Sequence, residues 1–485
     1  MRKTFEPQMV LGGISIEQVQ IPTKSRDEFP QYLRAMQHIF VTKELKDKVF
    51  TLLKNAICKK KRTGRPGMDL WSIFVLAGAR LCLNTDYDRL HYLSNEDNLL
   101  RQILGIQDSF VRGRSFERQT IRDNVSLIDV QTLQEINQLI VGAAHKELKK
   151  KETEALRIKV DSFVTEANIH FPTDYNLLWD SGRKCIDVLE ALMKTDEAYC
   201  TGWRKINYWH KELKNKMLIL SRATVDKSKN RATRINKAAK DYLFTARSLS
   251  GKLSTTKQID SSDIVSEAML KQLNYYHQML DKHIDLIDRR LMKNEKIPHE
   301  EKIFSIFEPW VEWICKGKAH KPVELGKRTC ITTDQWHLIV DWKVADHQQD
   351  NQMLLSVIDR IRQFFEVSRC SCDKGFFSKT DIEIMNLFNI QPIIPKKGKR
   401  SLTDIENESA REFIKGKRAH SAVESNINEL EHRGLDRCPD KGIKGFERYV
   451  GLAVIAYNLR RLGQILLRKD IKDAERKAIK FRRAA

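Results

Sequence analysis

The sequence predicts an α/β protein in which a mixed sheet is flanked by helices, preceded by an all-α segment and interrupted by a large helical insertion. Three observations carry that prediction. Helical periodicity with turn signals fills residues 39–150, an alternating strand pattern stands at "LRIKVDSFV", and strand and helix patterns alternate again beyond residue 320. At 485 residues the chain exceeds what one core accommodates. The divisions fall at 1–150 for a helical N-terminal domain, 151–178 with 320–465 for the sheet, 179–319 for the insertion and 466–485 for a basic C-terminal tail.

In the N-terminal part, "KRTGRPG" breaks the pattern ahead of the apolar helix "DLWSIFVLAGARLCL". Asn84 or Thr85 is placed to cap "DYDRLHYL", Asn95 to cap "EDNLLRQIL" before Gly105, and Ser126 with Asp129 has capping-box spacing ahead of "VQTLQEINQLIVGAAHKEL". Short capped helices in a basic chain suit a helix-turn-helix-like DNA-binding domain, and also a bundle that only packs. "GRPG" at residues 64–67 reads as a loop before a helix, with a basic minor-groove arm as the competing reading.

In "LRIKVDSFV", Leu156, Ile158 and Val160 alternate with Arg157, Lys159 and Asp161, giving a strand with one wet face that ends at Asp161. From Leu177 to about residue 320 the pattern is helical. "KRTCITTDQWHLIVDWKVA" then gives a hairpin turning at Asp334 and Gln335, followed by the helix "NQMLLSVIDRIRQFF" and the strand "EVSRCSC", ending at Asp373. Gly375 reads as permitting a sharp turn, and Ser378 with Asp381 starts the next helix. The strand "QPIIP" and one long helix carrying Glu424 complete the sheet region.

Charge points to the partner. The 86 Lys and Arg outnumber 64 Asp and Glu, a formal charge of +22 that seeks a polyanion, and nucleic acid is the foremost candidate. The nine cysteines form no CxxC pair and suit reduced, intracellular thiols. "MRKTFEPQMVLGG" has no apolar h-region, and "SIFVLAGARLCL" is broken by Arg80 short of a bilayer span, so neither secretion nor membrane insertion is expected. GxSxG, HExxH and P-loop patterns are missing, which removes support for the hydrolase, metalloprotease and nucleotidase classes they mark.

Glu424 sits beside the apolar set Val423, Ile427 and Leu430, at the edge of a core. Asp161 and Asp373 end strands of the sheet on which its helix packs, so three carboxylates can converge. Hard divalent cations bind through a few carboxylates, water and phosphate oxygens. Two of them about 4 Å apart serve in-line phosphodiester displacement. Taken singly, each acid has a simpler reading, as a turn Asp or as a solvated or Arg-paired Glu.

The segments "VDSFVTEANIHFPTDYNLL", "CDKGFFSKTD", "IPKKGKR", "RAHSAVESNINELEHRGLDRC" and "GFERYVGLAVIAYNLRRLG" resemble, in order, the catalytic blocks of bacterial insertion-sequence DDE transposases. The resemblance covers about 155–465, and "GRPGMDLWSIFVLAGARLCLNTDYDRL" is similar, more weakly, to the helical DNA-binding part of those enzymes. It implies an RNase H-like core with the first Asp on the first strand, the second on the fourth and the Glu on a later helix. Matched motif by motif, the three are Asp161 in "VDSF", Asp373 in "CDKGFF" and Glu424 in "AVESN".

It further implies that these residues bind two Mg²⁺ ions, with Mn²⁺ as a substitute and Asp161 touching both. Water then cuts at the transposon end, and the freed 3′-hydroxyl attacks target DNA. The implied partners are double-stranded DNA, as terminal inverted repeats and as target, and further copies of the chain in a homodimer or larger assembly. The implied location is the bacterial cytoplasm, at the nucleoid and away from membranes. A related subfamily carries a Tyr, Arg, Glu, Lys signature. Its Arg and Lys positions here are His420 and Glu431, so that subfamily fits poorly and Glu431 inherits no role.

His420, one turn before Glu424 and on the face of Asn428, either orients the carboxylate, meets phosphate or simply packs. Lys396, Lys397, Lys399 and Arg400 in "PKKGKR" follow the strand at Ile393 and Ile394, as a phosphate clamp or as a solvated loop. Residues 202–252 hold 14 Lys or Arg against three acids, Glu212, Asp226 and Asp241. There Arg204 and Lys205 lie near Trp203, Tyr208 and Trp209, a pattern suited to distorted or single-stranded DNA, while the competing reading buries the aromatics in the module's own core. Two other functions stay open: a non-catalytic, transposase-derived DNA-binding protein, and a metal-dependent DNA nuclease.

Overall fold

Strand β1 (Leu156–Ala167) is the axis of the sheet because its β-branched and aromatic residues are buried between two neighbouring strands and two covering layers of helix. The computed structural model describes residues 2–7, 13–58, 67–107, 113–258, 264–315 and 322–484. They form two compact units, Met1–Asn168 with Glu312–Ala485, and Ile169–Val311. Residues 64–66 of "GRPG" lie outside the described residues.

On one edge of β1 runs β3 (Glu324–Thr333), antiparallel, and on the outer edge of β3 lie β2 (Glu312–Ile314) and β4 (Ile339–Val344). On the other edge runs β5 (Val367–Cys372), parallel to β1, followed by β6 (Gln391–Ile393), parallel to β5. The two-residue β7 (Arg437–Cys438) pairs with the end of β1 and completes the seven strands found among the described residues. The β3–β4 hairpin turns where expected: Asp334 Oδ1 accepts from the amides of Trp336 (2.8 Å) and Leu338 (2.9 Å).

Two expectations about β1 change. The strand continues six residues past Asp161, which is therefore central and half-buried. Lys159 is not on a wet face: it is buried, and its ammonium donates to the Asp334 carbonyl at 2.6 Å. Alternation misled because both faces of a central strand are covered, so a long cation survives inside by reaching a carbonyl.

The N-terminal helices are α1 (Phe29–Val41), α2 (Lys43–Ile57), α3 (Leu70–Cys82), α4 (Tyr87–Glu96), α5 (Asn98–Ile103), α6 (Arg118–Val125) and α7 (Val130–Glu147). They share a unit with the sheet instead of forming a separate body. Four of them carry carboxylate caps: Asp69 accepts from Ser72 N, Asp86 from Arg89 N, Asp97 from Leu100 N and Asp129 from Thr132 N. Asn84, Thr85 and Asn95 do not cap, and Ser126 closes α6. Local sequence offers several candidate caps in a row, and only the one whose oxygen meets the N3 amide serves.

Between β1 and β2 lie α8 (Asp174–Thr195), α9 (Ile206–Val225), α10 (Arg231–Thr256) and α11 (Ile264–Ile287). Their shared core includes Leu189, Leu213, Leu220, Tyr242, Leu249 and Leu280. This unit begins at Ile169 and ends at Val311, so β2 belongs to the sheet although the expected insertion, 179–319, included it.

After β4 come α12 (Asp350–Arg362), α13 (Lys379–Leu387), α14 (Leu402–Ser409), α15 (Arg411–His420), α16 (Ala422–Leu430) and α17 (Ile443–Ala484). The expected long helix around Glu424 is split at Ser421, whose hydroxyl bonds back to the Arg418 carbonyl at 2.9 Å. The expected separate tail is the continuation of α17. That helix is the one described stretch long and apolar enough to cross a bilayer, and its apolar window is 83% buried within the protein.

Helix α17 joins the layers through polar groups. Asn458 acts like a strand residue, accepting from Ile339 N at 3.0 Å and donating to Ile339 O at 2.8 Å and to Asn137 at 2.7 Å. At Gly463 a Cβ would overlap the carbonyl of Gln31, so glycine permits α1 and α17 to touch. Asn458→Ala strands one buried Ile339 amide and weakens its carbonyl, which predicts a loss of about 2–4 kcal/mol. Urea denaturation should show a lower midpoint with an unchanged slope.

Candidate active site

The parallel register of β1 and β5 builds the site. Val160 stands opposite Cys372, so the residues that follow, Asp161 in β1 and Asp373 just past the end of β5, come to neighbouring positions, about 4.8 Å apart in the pairing direction. Side chains alternate along a strand, which puts both acids on the face where Ser371 meets His420 of α15. Helix α16 packs on β1, and Glu424 rides its first turn, exposed.

Each acid is held differently. Asp161 Oδ1 accepts from the Ser162 amide at 2.7 Å, fixing the carboxylate to its own strand. Asp373 is exposed, and His420 Nε2 lies 3.4 Å from its Oδ1. The ring of His420 is buried, and its Nδ1 is 3.3 Å from the Ser371 hydroxyl. Glu424 has no hydrogen-bond or ion-pair partner among the described residues. His420 ends α15 and Glu424 lies in α16, with the break at Ser421 between them.

The three carboxylates are not a closed cluster. Among the described residues, the group whose ligand atoms all lie within 4.8 Å of one another is Glu312, Asp346 and His347. Those acids already share a cation: the buried Lys327 ammonium donates to Glu312 and to Asp346, each at 2.7 Å. This acidic group has metal-ligating spacing, and pattern reading missed it because its members come from β2 and the turn after β4.

Asp350, the first residue of α12, is a second omission. Its Oδ1 accepts from Ser162 Oγ at 2.7 Å and pairs with Arg328 at 2.8 Å. Its Oδ2 lies 3.1 Å from where a Cβ on Gly375 would stand, and Gly375 has no positive φ. The glycine thus makes room for a carboxylate; it is not needed for a sharp turn.

The expected DNA-contact cations divide. Lys396 pairs with Asp404, its amide donates to Glu408 at 2.8 Å, and Arg400 lies 3.3 Å from Glu408, so α14 neutralises two of the four. Lys397 and Lys399 are exposed. In the insertion, Arg204 and Lys205 are exposed, as are all the cations of 202–252 except Lys216. Trp203 is buried, with its indole donating to Thr256 at 2.8 Å, whereas Tyr208 is 55% exposed. The packing reading holds for Trp203 and fails for Tyr208.

The His420 ring 3.4 Å from its Oδ1, with the cations Lys374 and Lys417 nearby, holds the Asp373 carboxyl below the usual range. A depressed carboxyl adds stability at pH above the unfolded value, and that contribution is lost as pH falls through the lowered one. His420→Ala should raise the Asp373 pKa toward the ordinary value of about 3.9, read by NMR titration of its carboxyl carbon. A titration curve unmoved by the substitution would refute the contact.

Comparison with protein-family models, with curated proteins and with solved structures yields no match to this chain.

Proposed function

We propose that the chain is a DDE transposase of the insertion-sequence type, built on an RNase H-like catalytic core, that cuts transposon ends and joins the 3′-hydroxyl to target DNA. The observation that carries the reading is the Val160–Cys372 register of the parallel strands β1 and β5, which brings Asp161 beside Asp373 at the end of β5. Asp161 lies on the first strand, and Asp373 follows the fourth once the three-residue β2 is set aside. Glu424 lies on a later helix packed on that first strand.

Asp161, Asp373 and Glu424 form an all-oxygen donor set suited to Mg²⁺, with Mn²⁺ as substitute. When bound, paired ions supply charge stabilisation for an in-line phosphodiester displacement. The chain's own groups do the rest. The Ser162 amide orients Asp161, and His420 orients Asp373. Lys397 and Lys399 offer charge to phosphates beside the site, and the insertion supplies the larger basic surface. Terminal inverted repeats and target duplex are the proposed partners, engaged at the bacterial nucleoid by a homodimer or larger assembly.

The spacing of the three acids beyond a single tight cluster favours one competitor, a transposase-derived protein that binds DNA without cutting it. Incubation with Mg²⁺ and duplex carrying the genomic sequences that flank the gene separates the readings. Joined products are expected; cuts alone indicate a nuclease, and retarded but intact duplex indicates the binder. Asp161→Ala should abolish cutting while end binding persists, and normal cutting by that variant sinks the assignment.

Neutralising Lys211, Lys214, Lys227 and Lys229 should lower the slope of log affinity against log salt by about 0.9 for each phosphate that the variant no longer neutralises. An unaltered slope removes the insertion from the DNA interface.

A further inference from the structure

We propose that Asp350 is a positioning residue that sets the spacing of Asp161 and Asp373 from the opposite face of the sheet. The inference rests on reading those two acids as a metal-binding pair. It goes further by naming the group that fixes their separation.

Alternation along β1 places Ser162 on the face away from Asp161. There its hydroxyl donates to Asp350 Oδ1 at 2.7 Å, and Arg328 of β3 reaches the same oxygen at 2.8 Å. The other oxygen of Asp350 faces Gly375, two residues beyond Asp373, at a distance of 3.1 Å from the missing Cβ. One carboxylate therefore binds the residue after the first candidate ligand and occupies the space that a side chain on the turn after the second would need. Its side chain is only 20% exposed, and Arg328 compensates its charge, so it is suited to holding backbone in place and not to ligating an ion on the far face.

The chain of contacts is short. Asp350 holds Ser162, the Ser162 amide holds Asp161 Oδ1 at 2.7 Å, and Asp350 limits how closely the Asp373 turn approaches. Loss of the Ser162 hydroxyl frees β1 to shift against β5 at the level of the two acids. Outer partners of this kind act on ligand geometry more than on folding.

The test is Mn²⁺ binding to the full chain by calorimetry, without DNA and without turnover, alongside thermal melting. The unmodified protein should bind Mn²⁺, and Asp161→Ala should abolish that binding. Ser162→Ala and Asp350→Ala should each weaken it about 10–100-fold. Asp350→Asn, which keeps an acceptor oxygen, should lose less. Glu312→Gln, in the acidic group around Lys327, should leave binding unchanged. Ser162→Ala removes one hydroxyl and keeps the fold, so it decides the matter should Asp350→Ala fail to fold. Wild-type Mn²⁺ affinity in Ser162→Ala, with or without a lower melting temperature, overturns the positioning role alone. Absence of Mn²⁺ binding by the unmodified chain, or binding that survives Asp161→Ala combined with Glu312→Gln, overturns the metal-pair reading and this inference with it.

Discussion

The row of polar side chains at Tyr457, Asn458 and Arg460 on α17 is the constraint on which the arrangement of sheet and site depends. Apolar contacts hold α17 in the core but would tolerate sliding by a turn, whereas directional bonds do not. Asn458 locks the helix to β4. The Tyr457 hydroxyl accepts from Asn426 of α16 and donates to the His337 carbonyl at 3.0 Å. The guanidinium of Arg460, 2% exposed, reaches Glu28 at 2.6 Å and also pairs with Glu429 of α16. One helix thereby registers the β3–β4 hairpin, the start of α1 and the helix carrying Glu424. A buried Arg with two carboxylates is a weak source of net stability, since desolvation offsets most of the attraction. Its effect is specificity: any register that separates these groups leaves a buried charge unpaired.

How much of this was legible in the sequence depended on whether the signal was local. The hairpin at Asp334, the strand before Asp373 and the start of α13 at Ser378 follow from turn and capping chemistry within a few residues. The split at Ser421 and the true caps hinge on which of several suitable oxygens meets an amide, which pattern alone leaves open. Lys159 was misplaced because strand periodicity assumes a solvated face that a central strand lacks. The neighbouring positions of Asp161 and Asp373 follow from strand order, a long-range property. Asp350 was invisible for the same reason: an acid in the first turn of a helix reads as ordinary dipole complementarity, and nothing nearby announces Ser162 or Gly375.

Electrostatics also redistributes the basic surface. The net charge of +22 suggests that any Lys-rich loop faces solvent as free cations. The 396–400 loop does not, because Asp404 and Glu408 on α14 take up Lys396 and Arg400. The acids of 202–252 engage only Lys216 and Arg234 of that stretch, at 3.4 Å and 2.7 Å. Most of its cations are left without an acid from the same segment and so stay available to a polyanion.

The spacing of the candidate acids follows from the same physics. Two carboxylates about 5 Å apart in an effective dielectric of about 20 repel by about 3 kcal/mol, and a third adds more. Asp373 and Glu424 meet that cost by staying exposed, where water carries their charge, and Asp373 has the cations Lys374 and Lys417 nearby and the His420 ring beside it. Asp161, half-buried, lacks that freedom and is fixed by the Ser162 amide. Of the three, the strand residue is rigid, the turn residue is steered by a histidine, and the helix residue is unpartnered and free to swing on its rotamers. Gathering them is uphill unless a cation of high charge joins them. The fold fixes the Asp161 and Asp373 backbones side by side, leaving the approach of the third candidate acid to the side chain of Glu424.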